Sequence, residues 1–139
     1  MTSIADFPLK ARDKLRYADT DRQGHVNNAV FATFLETGRV EVIVGDGLAD
    51  TGSAFVIARL ELDFLAEVNW PGEVEIGTAV LDIGRSSFKL SQTVFQDLVP
   101  VAKAVTVIVQ MNEDTRKSHP LTDNARAKLE KLRSPAIIT

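Results

Sequence analysis

The chain of 139 residues carries 16 Lys and Arg against 19 Asp and Glu, a net charge of −3, and 45% of it is hydrophobic. That composition fits one globular domain over 1–139, which can bury roughly two thirds of its unfolded surface without covalent staples. The mildly acidic balance, with no Lys/Arg run, argues against nucleic acid as a partner, and the absence of cysteine excludes a disulfide, a thiolate nucleophile and a Cys-based zinc site.

In chain order, the N-terminal residues Asp6, Pro8, Lys10 and Arg12 interrupt any apolar core of a signal peptide, so a cytoplasmic protein is expected. Leu9 to Tyr17 is expected to be a first strand. Ala18 to Gly24 then has the polar and glycine content of a turn. Phe31, Phe34, Leu35, Gly38 and Val42 recur at helical spacing, and Val30, Val40, Ile43 and Val44 add apolar groups on the other faces, so this helix is expected to be buried on most sides. Asn27 or Asn28 can cap its start, and Gly45-Asp46-Gly47 can end it. The stretch free of charged residues here, Gln23 to Leu35, is too short to cross a bilayer and no membrane role is expected.

From Phe55 the period becomes two, with Val56, Ala58, Leu60, Leu62 and Phe64 alternating with Ile57, Arg59, Glu61 and Asp63. Further strands are expected at Glu73–Ile83, Phe88–Phe95 and Val101–Met111, with turn-like residues between them, so that consecutive strands pair antiparallel. Leu121, Ala125, Leu129 and Leu132 then predict a short helix. One long apolar helix followed by such strands buries its surface only if the sheet curls around it. The edges of that sheet favour pairing with a second copy across a two-fold axis.

The richest chemistry lies between the first strand and the helix, in Asp19-Thr20-Asp21-Arg22-Gln23-Gly24-His25-Val26-Asn27-Asn28. A carboxylate, an imidazole and two amides meet there beside a helix start, whose unpaired N–H groups favour negative charge. A thioester or ester carbonyl placed against those N–H groups would find an oxyanion hole, with Asp21 as the carboxylate that attacks carbon or activates water. The structural alternative is that these residues merely cap the helix and brace the turn, the part expected of Asp19. Glu36 and Arg39, three apart on the helix, are expected to form an ion pair or a buried polar pair. Arg59, Glu61 and Asp63 read as a solvated or subunit-facing strand side, and Lys103 as a snorkelling lysine. With His25 and His119 far apart and outside any paired spacing, no metal is expected, and hydrolysis by a carboxylate and an oxyanion hole requires no cofactor.

The motif Tyr17-x-Asp19-Thr20-Asp21-x-x-Gly24-His25-Val26-Asn27-Asn28-Ala29-x-Phe31, followed by Phe34, Glu36 and Arg39, resembles the signature of hot-dog-fold acyl-CoA thioesterases of the 4-hydroxybenzoyl-CoA thioesterase family. The resemblance continues through Arg59–Leu65, Pro71–Val74 and Gly84–Phe88. It implies an α+β hot-dog fold, a long central helix wrapped by a five-stranded antiparallel sheet with a short C-terminal helix, assembled as a homodimer or homotetramer. It implies Asp21 as the catalytic carboxylate, the Asn28 backbone N–H as the group polarising the carbonyl, and His25 as orienting water or bonding the carbonyl. Gly24 and Asn27 fall at the substrate, Gly24 permitting close approach. Arg85, Ser86 and Ser87 match a connection that lies near the nucleotide end of coenzyme A in relatives. The hydroxybenzoyl enzyme has an aromatic residue where Asn28 stands and lacks a match to His25, so a different acyl group is expected here.

The substrate expected is therefore an acyl-CoA or acyl-carrier thioester, hydrolysed to the free acid. Two alternatives share the fold. Hot-dog hydratases and dehydratases act on enoyl thioesters, but their His follows Asp by five residues with a proline, whereas His25 follows Asp21 by four. A non-catalytic acyl-CoA binding module would keep the pocket and lose turnover.

Overall fold

The computed structural model describes residues 2–45, 47–48 and 52–138. In chain order they form β1 (Leu9–Lys14), α1 (Val30–Ile43), β2 (Ser53–Phe64), β3 (Glu73–Ile83), β4 (Ser87–Gln96), β5 (Val99–Asn112) and α2 (Asp123–Glu130), with short 3₁₀ turns at Ile4–Asp6 and Tyr17–Asp19. The strands make one antiparallel sheet in the order β1-β3-β4-β5-β2.

Two features depart from the sequence expectation. β1 stops at Lys14 and not Tyr17, because the Arg16 N–H is taken by Asp19 Oδ2 at 2.9 Å and the chain turns instead of extending. Pairing also does not follow chain order throughout: β2 pairs with β5, at the opposite edge from β1, and is not a neighbour of β3. The connection 65–72 must therefore pass three strand spacings, about 14 Å, which eight residues of extended chain span easily. In doing so it runs across one end of the sheet, where the Leu65 and Ala66 N–H groups both bond the Val101 carbonyl and the Val26 N–H bonds the Val68 carbonyl.

The helix buries Phe31, Phe34, Leu35, Gly38, Arg39 and Val42, the set at helical spacing, against β1, β3 and β4. Its other side stays open in one chain, with Val40 and Val44 exposed, so burial on most sides is not reached within a single chain. Under its first half lies a cluster of Leu15, Val26, Phe31, Phe34, Val68 and Ile76; under its second half, Val42, Leu90 and Ile108 join Ala125 and Leu129 of α2. Gly38 sets the approach of helix to sheet: a methyl group there would lie 2.5 Å from Gln92 Nε2 and 2.8 Å from Thr78 Oγ1. Gln92, fully buried, donates to the Leu35 carbonyl at 3.0 Å and so ties β4 to the helix backbone. α1 ends at Ile43 and Gly47 takes a φ of +60° beyond it. Asp46, expected in the same stop signal, lies outside the described residues. Among the described residues no helix is long and apolar enough to cross a membrane.

Candidate active site

The turn from Thr20 to Val26 closes as a small hairpin, with Thr20 bridged to Val26 and His25 bridged in turn to Asn69 of the 65–72 connection. Gly24 makes the reversal possible: it takes a φ of +80°, a region that side chains with a Cβ disfavour. Asp19 braces the turn as expected. Buried, its carboxylate accepts from Arg16 Nη2 at 2.8 Å and from Arg16 Nε at 3.1 Å, while its carbonyl accepts from the Asn27 N–H. Burial pushes the Asp19 carboxyl up, but the hydrogen bonds and charge of Arg16 outweigh it and hold the group below the usual carboxylate range.

Asp21 is fixed by its own loop. Its Oδ1 accepts from the N–H groups of Gln23 at 2.8 Å and His25 at 3.2 Å, which leaves Oδ2 without a protein donor among the described residues. The side chain is exposed but borders a cavity of about 360 Å³ that also takes in Gln23, His25, Asn28, Phe31, Phe64 and Glu67. Half-buried His25 places Nε2 3.1 Å from Glu67 Oε2. Since an ionised carboxylate can only accept, this contact selects the Nε2–H tautomer and leaves Nδ1 of a neutral ring as an acceptor.

The helix start differs in detail from the expected cap. The residue before α1 is Ala29, with no side-chain cap; Asn27 Oδ1 instead accepts from the Ala29 N–H at 3.0 Å, one residue early. The Val30 and Phe31 N–H groups bond the Asn27 and Asn28 carbonyls. Three of the leading donors are thus engaged, while the Asn28 N–H has no acceptor among the described residues. Asn28 lines the cavity and Asn27 does not.

Asp21, His25 and Asn28 are therefore brought together, with Gly24 at the tip of the same hairpin. Arg85, Ser86 and Ser87 are not. They lie at the far end of β3, where the Leu121 N–H bonds the Arg85 carbonyl and the Gln110 N–H bonds the Ser86 carbonyl. The strand separates them from the cavity by roughly 30 Å within one chain. Sequence reasoning missed Glu67 and the Leu65–Val68 wall, which come from a connection without motif or periodicity. Neither the ion pair nor the buried polar pair expected of Glu36 and Arg39 is formed: Glu36 is exposed, and Arg39 is buried without it. Among the described residues no group of three or more His, Asp or Glu is spaced to hold a metal ion.

Residues 15–129, which include the hairpin, α1 and the whole sheet from β2 to β5, match the family model of the Thioesterase-like superfamily. The chain belongs to that superfamily. Among solved structures, the thioesterase complexed with coenzyme A and Zn from Thermus thermophilus is 32% identical, over 91% of this chain and 95% of that one, with a TM-score of 0.79. A predicted thioesterase from Bacillus stearothermophilus is 28% identical over 89% and 95%, with a TM-score of 0.81. The PA5185 protein from Pseudomonas aeruginosa, at 22% identity, shares the fold over 96% of each chain with a TM-score of 0.86. As a superfamily member, the chain has the expected hot-dog fold, with α1 against the five-stranded sheet and α2 as the short C-terminal helix.

Proposed function

We propose that the protein is an acyl-CoA thioesterase that hydrolyses its substrate to the free acid and coenzyme A. The observation supporting this reading is that Asp21 and Asn28 line one cavity, with Asp21 Oδ2 and the Asn28 N–H both without protein partners among the described residues. A thioester carbon between them would have a carboxylate on one side and a donor for its oxygen on the other. Asp21 acts either as nucleophile, forming a mixed anhydride that water then opens, or as general base to an attacking water. Both routes break the carbon–sulfur bond and release the thiol. His25, with Nδ1 free to accept, suits the orientation of that water. The acyl group would extend along Phe31, Phe64 and Leu65.

Coenzyme A as the carrier is supported by the complex of the 32% identical Thermus protein. Arg85, Ser86 and Ser87 can serve the nucleotide end only if a second copy delivers them, which fits the homodimer or homotetramer expected from the sequence. The test is release of free thiol from a panel of acyl-CoAs by wild-type protein and Asp21→Asn. Turnover that falls about 10²-fold or more in the variant supports the reading; equal rates would remove Asp21 from the chemistry, and absence of thiol release with any acyl-CoA would remove the activity.

A further inference from the structure

The two histidines of the chain are held in different ways. Both ring nitrogens of His119 are engaged, Nε2 with Ser53 Oγ and Nδ1 with Gln110 Nε2, each at 3.0 Å. His25 has only Nε2 engaged, with Glu67 Oε2 at 3.1 Å, and its Nδ1 has no partner among the described residues. His119 is thereby saturated, whereas His25 keeps one nitrogen open. Both His25 and Glu67 line the candidate active-site cavity with Asp21 and Asn28.

The backbone that carries Glu67 is anchored on both sides. Before it, the Leu65 and Ala66 N–H groups donate to the Val101 carbonyl; after it, the carbonyl of buried Val68 accepts from the Val26 N–H. Asn69 then exchanges two hydrogen bonds with the Gln96 side chain, at 3.0 and 2.8 Å, and bridges to His25 through the main chain. The Glu67–His25 contact thus joins two segments that are already fixed to each other. A carboxylate that is 68% exposed also adds little stability. What the contact determines is where the ring carries its proton. Glu67 can only accept, so a neutral ring keeps the proton on Nε2 and a lone pair on Nδ1.

We propose that Glu67 is a positioning residue for hydrolysis: by receiving the Nε2 proton of His25, it keeps Nδ1 as the acceptor for an O–H of the water that attacks carbon. No bond to Glu67 forms or breaks, and it touches neither the thioester nor the water. The same role serves both routes open to Asp21, since each needs a water oriented at an acyl carbon. The inference rests on the thioesterase reading and adds to it a residue from the 65–72 connection.

Three side chains at position 67 offer Nε2 different things: Glu accepts only, the amide of Glu67→Gln accepts or donates, and the ammonium of Glu67→Lys donates only. Nitrogen-15 NMR of the histidine rings in ligand-free protein at about pH 8.5, where an ordinary imidazole is neutral, reads the position of the proton. His119→Gln assigns the signals. Wild type is expected as the Nε2–H tautomer, Glu67→Gln as a mixture and Glu67→Lys as Nδ1–H. In a thiol-release assay kcat should fall in the same order, about threefold for Glu67→Gln and about tenfold or more for Glu67→Lys, with KM and the thermal midpoint near wild type. A merely structural contact would not make kcat follow the tautomer. A wild-type ring with its proton on Nδ1, a tautomer that neither variant changes, or an unchanged kcat in a Glu67→Lys protein whose tautomer has switched would overturn the proposal and leave the thioesterase reading standing. Absence of thiol release from every acyl-CoA would overturn both.

Discussion

Asp21 and His25 clasp each other through both backbone and side chain: the Asp21 N–H donates to the His25 carbonyl at 2.8 Å, and the His25 N–H donates to Asp21 Oδ1 at 3.2 Å. The carboxylate thus holds the hairpin with Oδ1, while Oδ2 has no protein donor among the described residues and Asp21 as a whole lines the cavity. Asp21→Asn keeps an Oδ1 acceptor and loses the charge, so its thermal midpoint should match wild type while kcat falls about 10²–10⁴-fold. Asp21→Ala loses the turn as well and should cost about 1 kcal/mol of stability in addition. Differential scanning calorimetry beside a thiol-release assay separates the two contributions.

What the sequence made legible was local. The hairpin could be read because Asp19, Asp21, Gly24 and His25 bond within a few residues of one another, and turn chemistry is written at that range. Strand alternation likewise revealed β2 and β3, but alternation marks a face and not a neighbour, so the pairing of β2 with β5 was out of reach. Glu67 meets His25 only because the 65–72 connection crosses that end of the sheet. For Arg39 the three-residue spacing predicts a pair with Glu36, and the absence of that pair depends on distances that periodicity does not encode.

Gly38 permits the close contact of α1 with β3 and β4, and its replacement tests how the helix is held on the sheet. In Gly38→Ala the new methyl group would meet Gln92 Nε2 at 2.5 Å, Ile76 Cγ2 at 2.7 Å and Thr78 Oγ1 at 2.8 Å, all in buried surroundings. The helix must lift or Gln92 must give up its bond to Leu35. A loss of about 1–3 kcal/mol is expected in urea unfolding, opposing the gain in helix propensity that alanine would otherwise bring.

The Asp19–Arg16 brace makes hairpin stability depend on acid. Because the folded carboxyl is held below its unfolded value, its contribution is complete above that unfolded value, near pH 4, and fades as pH falls through the folded one. Asp19→Asn should therefore be less stable than wild type by about 1–2 kcal/mol at pH 7, and the gap should narrow below about pH 4. Urea unfolding of both proteins at pH 7 and pH 3 measures it. A gap of constant size would mean that shape, and not charge, braces the turn.

Arg85 presents the sharpest geometric question about the substrate, since its strand connection lies roughly 30 Å along β3 from Asp21 in one chain. If a second copy brings it to the cavity, its guanidinium meets the phosphates of coenzyme A and contributes nothing to a substrate that lacks them. Arg85→Ala should then raise KM for an acyl-CoA about tenfold at unchanged kcat, with the matching acyl-pantetheine thioester hydrolysed as by wild type. The backbone carbonyl that accepts from the Leu121 N–H survives the substitution, so the thermal midpoint should hold. Equal KM for the two substrates in wild-type protein would instead mean that the nucleotide end makes no contact with this connection, and that the Arg85 side chain stands in solvent at the far end of the sheet.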